Sequence, residues 1–256
     1  VSAGFGSGRK IRIPMAVTSN GFEVVFLDAA GTLFEVRGSV GEIYSSVAQR
    51  HGVTVSPVEL QAGFVEAFRR KSHECIPSGN SENQTERERR WWLELVEGVL
   101  SGRMPASALP GYFEEVFETF RTTRAWRLFP DTRPGLEMLC KAGYRLGIIS
   151  NFDSRLEDLL RNLGIAFYFE RVIISWTVGS AKPAAGIFCR ALDVMGVAAQ
   201  RAVHVGDSLT EDVVGAQRAG LRGVLLDRNN ALCDWRGGCR IRSLEELFTE
   251  LEKARE

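Results

Sequence analysis

Glu23-Val-Val-Phe-Leu-Asp-Ala-Ala-Gly-Thr-Leu33 decides how the rest of the chain is read. Val24 to Leu27 is a short β-branched and aromatic run that stops on an acid, Asp28, and Ala29-Ala-Gly-Thr32 then supplies turn chemistry. That is the pattern of a buried strand with a polar tip. Similar runs recur at residues 145–150, 171–175, 202–205 and 223–226, each separated by a segment with helical spacing. Alternating strand and helix predicts an α/β fold built on a doubly wound parallel sheet.

The intervening helices carry their own stop signals. Leu156, Leu159, Leu160 and Leu163 run to Gly164; Ile187, Phe188, Ala191, Leu192 and Met195 run to Gly196; Val213 and Ala216 lead to Gly220. Each glycine falls where a left-handed C-terminal cap belongs. Ser243-Leu-Glu-Glu246 starts a last helix with Leu247 and Leu251 facing inward.

Between the first and second strands lie about ninety residues without strand signals, far beyond an ordinary crossover. They predict an inserted helical domain over residues 36–127, splitting the α/β core into 21–35 and 128–256. Its four apolar stripes centre on Ile43, Tyr44 and Val47; on Leu60, Phe64, Ala67 and Phe68; on Trp92, Leu95, Val96 and Val99; and on Tyr112, Phe113, Val116, Phe117 and Phe120. Ser56-Pro-Val-Glu59 opens the second with a capping box and proline at the first helical position. Residues 1–20, rich in glycine and cations, read as a disordered tail, and Met15 shortly before the first strand marks a candidate start.

Composition narrows the function. Thirty-two basic side chains balance thirty-two acidic ones, so no overall field recruits nucleic acid or an anionic membrane. No apolar run approaches the roughly 20 residues that cross a bilayer. Five cysteines without a C-x-x-C pair and three scattered histidines argue against zinc or a disulfide framework and fit a reducing cytoplasm. Cys233 and Cys239 read as small or buried residues, and His204, inside a strand, as a satisfied core residue.

Ligands of an open α/β sheet bind beyond the carboxyl ends of the strands. The polar residues there are Asp28, Ser150, Asn151, Lys182, Asp207 and Asp212. Singly, each has a bland reading as a turn, cap or surface residue. Together they do not. Three carboxylates at adjoining strand ends repel unless cations neutralise them. Asp28, Asp207 and Asp212 carry minus three; one Mg²⁺ and Lys182 carry plus three, with an oxygen-only ligand set suited to a hard ion. Ser150, Asn151 and the helix start they open offer donors to phosphoryl oxygens.

Asp28-Ala-Ala-Gly-Thr-Leu33, Ile148-Ile-Ser-Asn151, Ala181-Lys-Pro183 and Val205-Gly-Asp-Ser-Leu-Thr-Glu-Asp212 stand in the order of the four motifs of the haloacid dehalogenase-like hydrolase superfamily, which the chain resembles from Gly21 onward. Phe68-Arg-Arg-Lys-Ser-His73, Trp91-Trp92-Leu93 and Ser150-Asn-Phe-Asp153 look like a narrower branch with a helical cap, that of domain-containing protein three and its bacterial relatives. The resemblance implies a Rossmann-like core and a magnesium-dependent hydrolase acting on a small phosphorylated metabolite. Asp28 becomes the nucleophile of an aspartyl intermediate. Asp28, the Ala30 carbonyl and Asp207 become metal ligands, with Asp212 completing the outer shell or holding Lys182. Ser150, Asn151 and Lys182 become phosphoryl binders.

One position departs from the pattern. Phosphatases of this superfamily usually place a second aspartate two residues after the nucleophile, as general acid and then base; here that residue is Ala30. Its loss predicts slow turnover, or restriction to acyl and aryl phosphates, whose leaving groups need no proton. His73 from the cap could substitute, although a solvated or capping role is the ordinary reading there. Three other readings stand. Phosphonoacetaldehyde hydrolases of the superfamily also carry alanine there and use a cap lysine as a Schiff base, for which Lys71 is the candidate and a wet helix face the bland alternative. A metal-free haloacid dehalogenase fits Asp207 poorly. A degenerate member would bind a phosphorylated ligand or partner without turnover.

Overall fold

The computed structural model describes residues 21–72 and 83–253. The sequence readings of the tail, Met15, His73 and Cys75 fall outside the described residues. Two compact units emerge. One comprises the chain up to Glu35, Leu128–Phe152 and Leu160 onward; the other comprises Val36–Arg127 and Asp153–Leu159.

The first unit is an α/β layer structure. β1 (Val24–Leu27) is wholly buried, as its unbroken apolar run requires. It is followed by β2 (Phe34–Val36), which pairs with β3 (Trp126–Leu128) in a two-stranded ribbon where the chain passes between the units. Six strands form the main sheet in the order β5 (Arg171–Ile174), β4 (Arg145–Ser150), β1, β6 (Ala202–Gly206), β7 (Arg222–Leu226) and β8 (Cys239–Ile241), every pair parallel. In register, Leu27 sits opposite Ile148 on one side and Val205 on the other. The chain order therefore reverses at β1, so crevices flank that strand at its carboxyl end. Asp28, Ser150 and Asp207 all occupy that end.

Helices close both faces. Val24 and Phe26 pack with Ile187, Phe188 and Ala191 of α8 (Ala185–Met195), while α9 (Gly215–Arg218) adds Ala216. Strand alternation turns Val25 and Leu27, equally buried, to the opposite side. There α5 (Thr132–Lys141) meets α10 (Leu244–Lys253) so closely that a Cβ on Gly135 would overlap Leu244. The short α7 (Ser175–Val178) continues β5. Gly164, Gly196 and Gly220 all take the left-handed conformation expected of them.

The second unit holds α1 (Val40–Arg50), α2 (Pro57–Ser72), α3 (Gln84–Leu100) and α4 (Leu109–Arg121). Ser39 and Glu42 form a reciprocal capping box at α1. The four predicted stripes meet in one core, where the Tyr44 ring has edge contacts with Phe64, Tyr112 and Phe120.

Asp153–Leu159, assigned to the α/β core from sequence, sits instead in this helical unit. Its anchors are charged. Arg155, 7% exposed, opens α6 (Arg155–Asn162); its guanidinium grips both oxygens of Asp153 and lies 4.8 Å from the Trp92 ring and 4.1 Å from that of Phe117. Trp92 Nε1 donates to Asp153 at 2.6 Å, and buried Glu88 accepts from the Ser154 hydroxyl. Burial opposes ionisation of Asp153, but the Arg155 charge and the hydrogen bonds outweigh it and hold its pKa below the ordinary value. Removing one partner of such a pair leaves a buried charge alone. Arg155→Leu should therefore lower stability by about 3–5 kcal/mol, and Trp92→Phe, which spares the ion pair, by about 1–2 kcal/mol; urea unfolding of both variants checks the ranking.

Candidate active site

β1 delivers Asp28 into a turn pinned on every side. Leu33 N donates to Ala29 O, Gly31 N to Phe34 O, and the Thr132 hydroxyl to Leu33 O. Arg228 stacks 3.9 Å over Phe129, donates through Nη1 to both oxygens of Asp131 and through Nη2 to Thr32 O at 2.7 Å. Gly31 sits in this turn at φ +83, and a side chain there would run into the Asp207 carboxylate. Both constraints require glycine.

Lys182, 4% exposed, bridges two of the acids. Its Nζ donates to Asp28 Oδ1 at 2.7 Å and to Asp212 Oδ1 at 2.6 Å. Burial alone would lower the lysine pKa, but the two carboxylate charges prevail and raise it. Asp212 moves the other way: burial opposes its charge, and Lys182 with the His204 hydrogen bond lowers its pKa regardless. Such a triad is stable only as a set, because each charge is desolvated.

Asn151 fixes the lysine's backbone. Its side-chain oxygen accepts from Lys182 N at 2.8 Å and its Nδ2 donates to Lys182 O at 3.0 Å and to Glu211 at 3.1 Å. The side chain proposed from sequence as a phosphoryl donor is thus committed to holding Lys182. Ser150 is buried at the end of β4, one register step beyond the level of Asp28.

Asp28, Asp207 and Asp212 each present an oxygen within 4.8 Å of the others. The three differ in what holds them. Asp212 gives Oδ1 to Lys182 and His204 and Oδ2 to the Ser208 amide at 2.9 Å. Asp207 is the exposed member, and among the described residues no other side chain donates to it. Partial desolvation and the adjacent Asp28 and Asp212 charges push its pKa up to about 7. The donor set is oxygen-only and under-neutralised, as a hard divalent cation requires. Asp28 and Asp207 fit as direct ligands; Asp212 fits as the holder of Lys182, the second of its two sequence-derived roles.

The scan of protein families matches residues 22–220 to haloacid dehalogenase-like hydrolase. The chain belongs to the haloacid dehalogenase-like hydrolases. Haloacid dehalogenase-like hydrolase domain-containing protein 3 of Xenopus laevis is 35% identical over 201 residues, covering 78% of this chain and 82% of the relative; the Homo sapiens protein is 34% identical, covering 80% and 82%. Among solved structures, a HAD phosphatase from Thermococcus onnurineus superposes with TM-score 0.65 at 25% identity, covering 92% of this chain and all of that one. A 2-haloacid dehalogenase from Pseudomonas syringae pv. Tomato DC3000 gives the same TM-score and identity, covering 91% and 99%.

Within this hydrolase, two site neighbours escaped the sequence reading. Glu211, half-buried, touches Asn151, and burial together with the Asp212 and Asp28 charges raises its pKa against the pull of Lys182. His204 is not the satisfied core residue expected: Nε2 meets Asp212, but Nδ1 is buried without a partner. Other readings shift as well. Lys71 is no wet-face residue; its ammonium lies 2.8 Å from Glu94 and 5.5 Å from the Trp91 ring. Cys233 is exposed and Cys239 partly so, rather than buried.

Asp207 makes the hydrolase pH-sensitive. Its folded pKa lies above the unfolded one, so the folded state binds the proton more tightly and stability falls as pH rises from about 4 through about 7. Asp207→Asn removes that loss. In divalent-free buffer at pH 8 the variant should exceed wild type by on the order of 1 kcal/mol, discounted for solvent screening, with the difference gone near pH 4; urea unfolding at the two pH values measures it.

Proposed function

We propose that this hydrolase is a magnesium-dependent phosphatase for a small phosphorylated metabolite, working through an aspartyl-phosphate on Asp28 and limited to good leaving groups by Ala30. The observation that carries the reading is the asymmetry of the acidic cluster: Lys182 compensates Asp28 and Asp212, while Asp207 stands beside them without a counter-charge. A divalent ion held by Asp28, Asp207 and the Ala30 carbonyl would complete the neutralisation and polarise a phosphoryl oxygen.

The remaining steps belong to the protein. Asp28 Oδ2, clear of the Lys182 hydrogen bond, attacks phosphorus. The Lys182 ammonium, fixed through its backbone by Asn151, neutralises charge on the transferring group. Ser150 donates to a phosphoryl oxygen. At residue 30 a methyl group replaces the proton donor of related phosphatases, so the leaving oxygen departs unprotonated and aryl or acyl phosphates react best. The balanced charge and the lack of a sufficiently long apolar helix among the described residues favour a small-molecule substrate over nucleic acid or membrane. Unpaired Cys140, Cys189, Cys233 and Cys239 support a cytoplasmic setting.

Lys71 lacks what a Schiff-base amine needs, since a carboxylate and an indole face already engage its charge. A metal-independent dehalogenase would leave Asp207 unexplained.

Phosphate release by wild type, Asp28→Asn and Ala30→Asp with Mg²⁺ tests the proposal. Wild type should hydrolyse aryl and acyl phosphates, and Asp28→Asn should not. Ala30→Asp should raise turnover of alkyl phosphates by up to roughly 10²- to 10⁴-fold. Equal rates for wild type and Asp28→Asn would overturn the enzyme reading. Calorimetry gives a second check: Mg²⁺ uptake at pH 6 should release close to one proton, supplied by Asp207, and little at pH 8.5.

A further inference from the structure

We infer that His204 is a positioning residue for Lys182: its neutral imidazole, protonated on Nε2, orients Asp212 so that the lysine ammonium is held against Asp28. The inference rests on the reading of Asp28 and Lys182 as the reacting pair.

His204 lies in the middle of β6, between Phe26 of β1 and Gly223 of β7, and has no exposed surface. Its ring meets Phe188 edge-on at 5.3 Å. An apolar side chain would suit this place. Imidazole instead leaves Nδ1 buried with no partner, which is unfavourable. What it gains is one bond: Nε2 lies 2.9 Å from Asp212 Oδ1, the same oxygen that Lys182 Nζ reaches at 2.6 Å.

The tautomer follows from the partners. Asp212 can only accept, so Nε2 carries the proton; among the described residues Nδ1 has no hydrogen-bond partner, so a second proton there would be both buried and unmet. Burial also lowers the His204 pKa, against the opposing pull of Asp212.

The consequence is geometric. The Ser208 amide holds Asp212 Oδ2, and without His204 only the long, flexible lysine would hold Oδ1. The carboxylate could then turn about its Cβ–Cγ bond and take the ammonium with it. Gly206 keeps the approach open, since a Cβ there would overlap the Asp212 carboxylate. A group misplaced by a fraction of an ångström can cost a large factor in rate while leaving binding intact.

His204→Leu and His204→Gln separate this role from simple packing. His204→Leu should fold with a melting temperature at or above wild type, yet lose about 10- to 100-fold in kcat on an aryl phosphate with KM within about twofold. His204→Gln, whose amide can donate to Asp212, should recover most of that loss. A substrate-free measurement runs beside it: acetylation of Lys182 by acetic anhydride, followed by mass spectrometry, should be several-fold faster in His204→Leu than in wild type or His204→Gln. Wild-type labelling in His204→Leu, equal kcat losses in both variants, or an imidazole doubly protonated at pH 7 by nitrogen NMR would each overturn the inference. Should wild type cleave no phosphate, the phosphatase reading fails, and the labelling still judges His204.

Discussion

A buried lysine ammonium between two buried aspartates governs this hydrolase. Each of the three groups would be strongly unfavourable inside the protein alone, and their attraction offsets desolvation only at close range. Lys182 therefore needs both Asp28 and Asp212 within hydrogen-bonding distance, although they come from three distant parts of the chain. Much nearby structure serves that requirement. Asn151 clamps the lysine's peptide, Ser208 and His204 fix the two oxygens of Asp212, and Arg228 with Thr132 ties down the turn that carries Asp28.

The same triad explains why Asp207 remains available. A lysine offers one positive charge, and both neighbours claim it. For Asp207, outside the triad but beside it, burial and repulsion from Asp28 and Asp212 outweigh the pull of Lys182, and its carboxyl is the one whose pKa rises to about 7. The chain thus separates a closed ionic set, Lys182 with Asp28 and Asp212, from an exposed carboxylate beside it.

The sheet was legible because its central strands are largely apolar runs with one possible environment. Val24–Leu27 and Arg145–Ser150 could only be buried. β2, β3 and β8, at three residues each, are too short to show alternation and escaped notice. The order of the motifs is not needed to see the site: the acids and the lysine sit at or just beyond strand ends, which is where the fold puts chemistry. What sequence order does not carry is return of the chain. Alternation along β6 places His204 on the face that α8 covers, but only the turn after Gly206 brings Asp212 back beneath it. Likewise, Ser150-Asn151-Phe152-Asp153 reads as the start of a helix of the α/β core, whereas Asp153 and Arg155, the latter stacked on Trp92 and Phe117, belong to the helical unit.

Two buried ionic clusters thus have opposite outcomes. At Asp153 the carboxylate is matched by the Arg155 guanidinium and an indole donor, with two aromatic faces against the cation. Around Asp28 the charges do not balance, because three carboxylates share one ammonium. At residue 30 alanine contributes only its backbone. On the proposed phosphatase reading, activation would come from fixed charge rather than from a proton relay. On that same reading, fixed charge would act on the phosphoryl group and do nothing for the departing oxygen, so a preference for acidic leaving groups would follow from the same electrostatics that favour a cation.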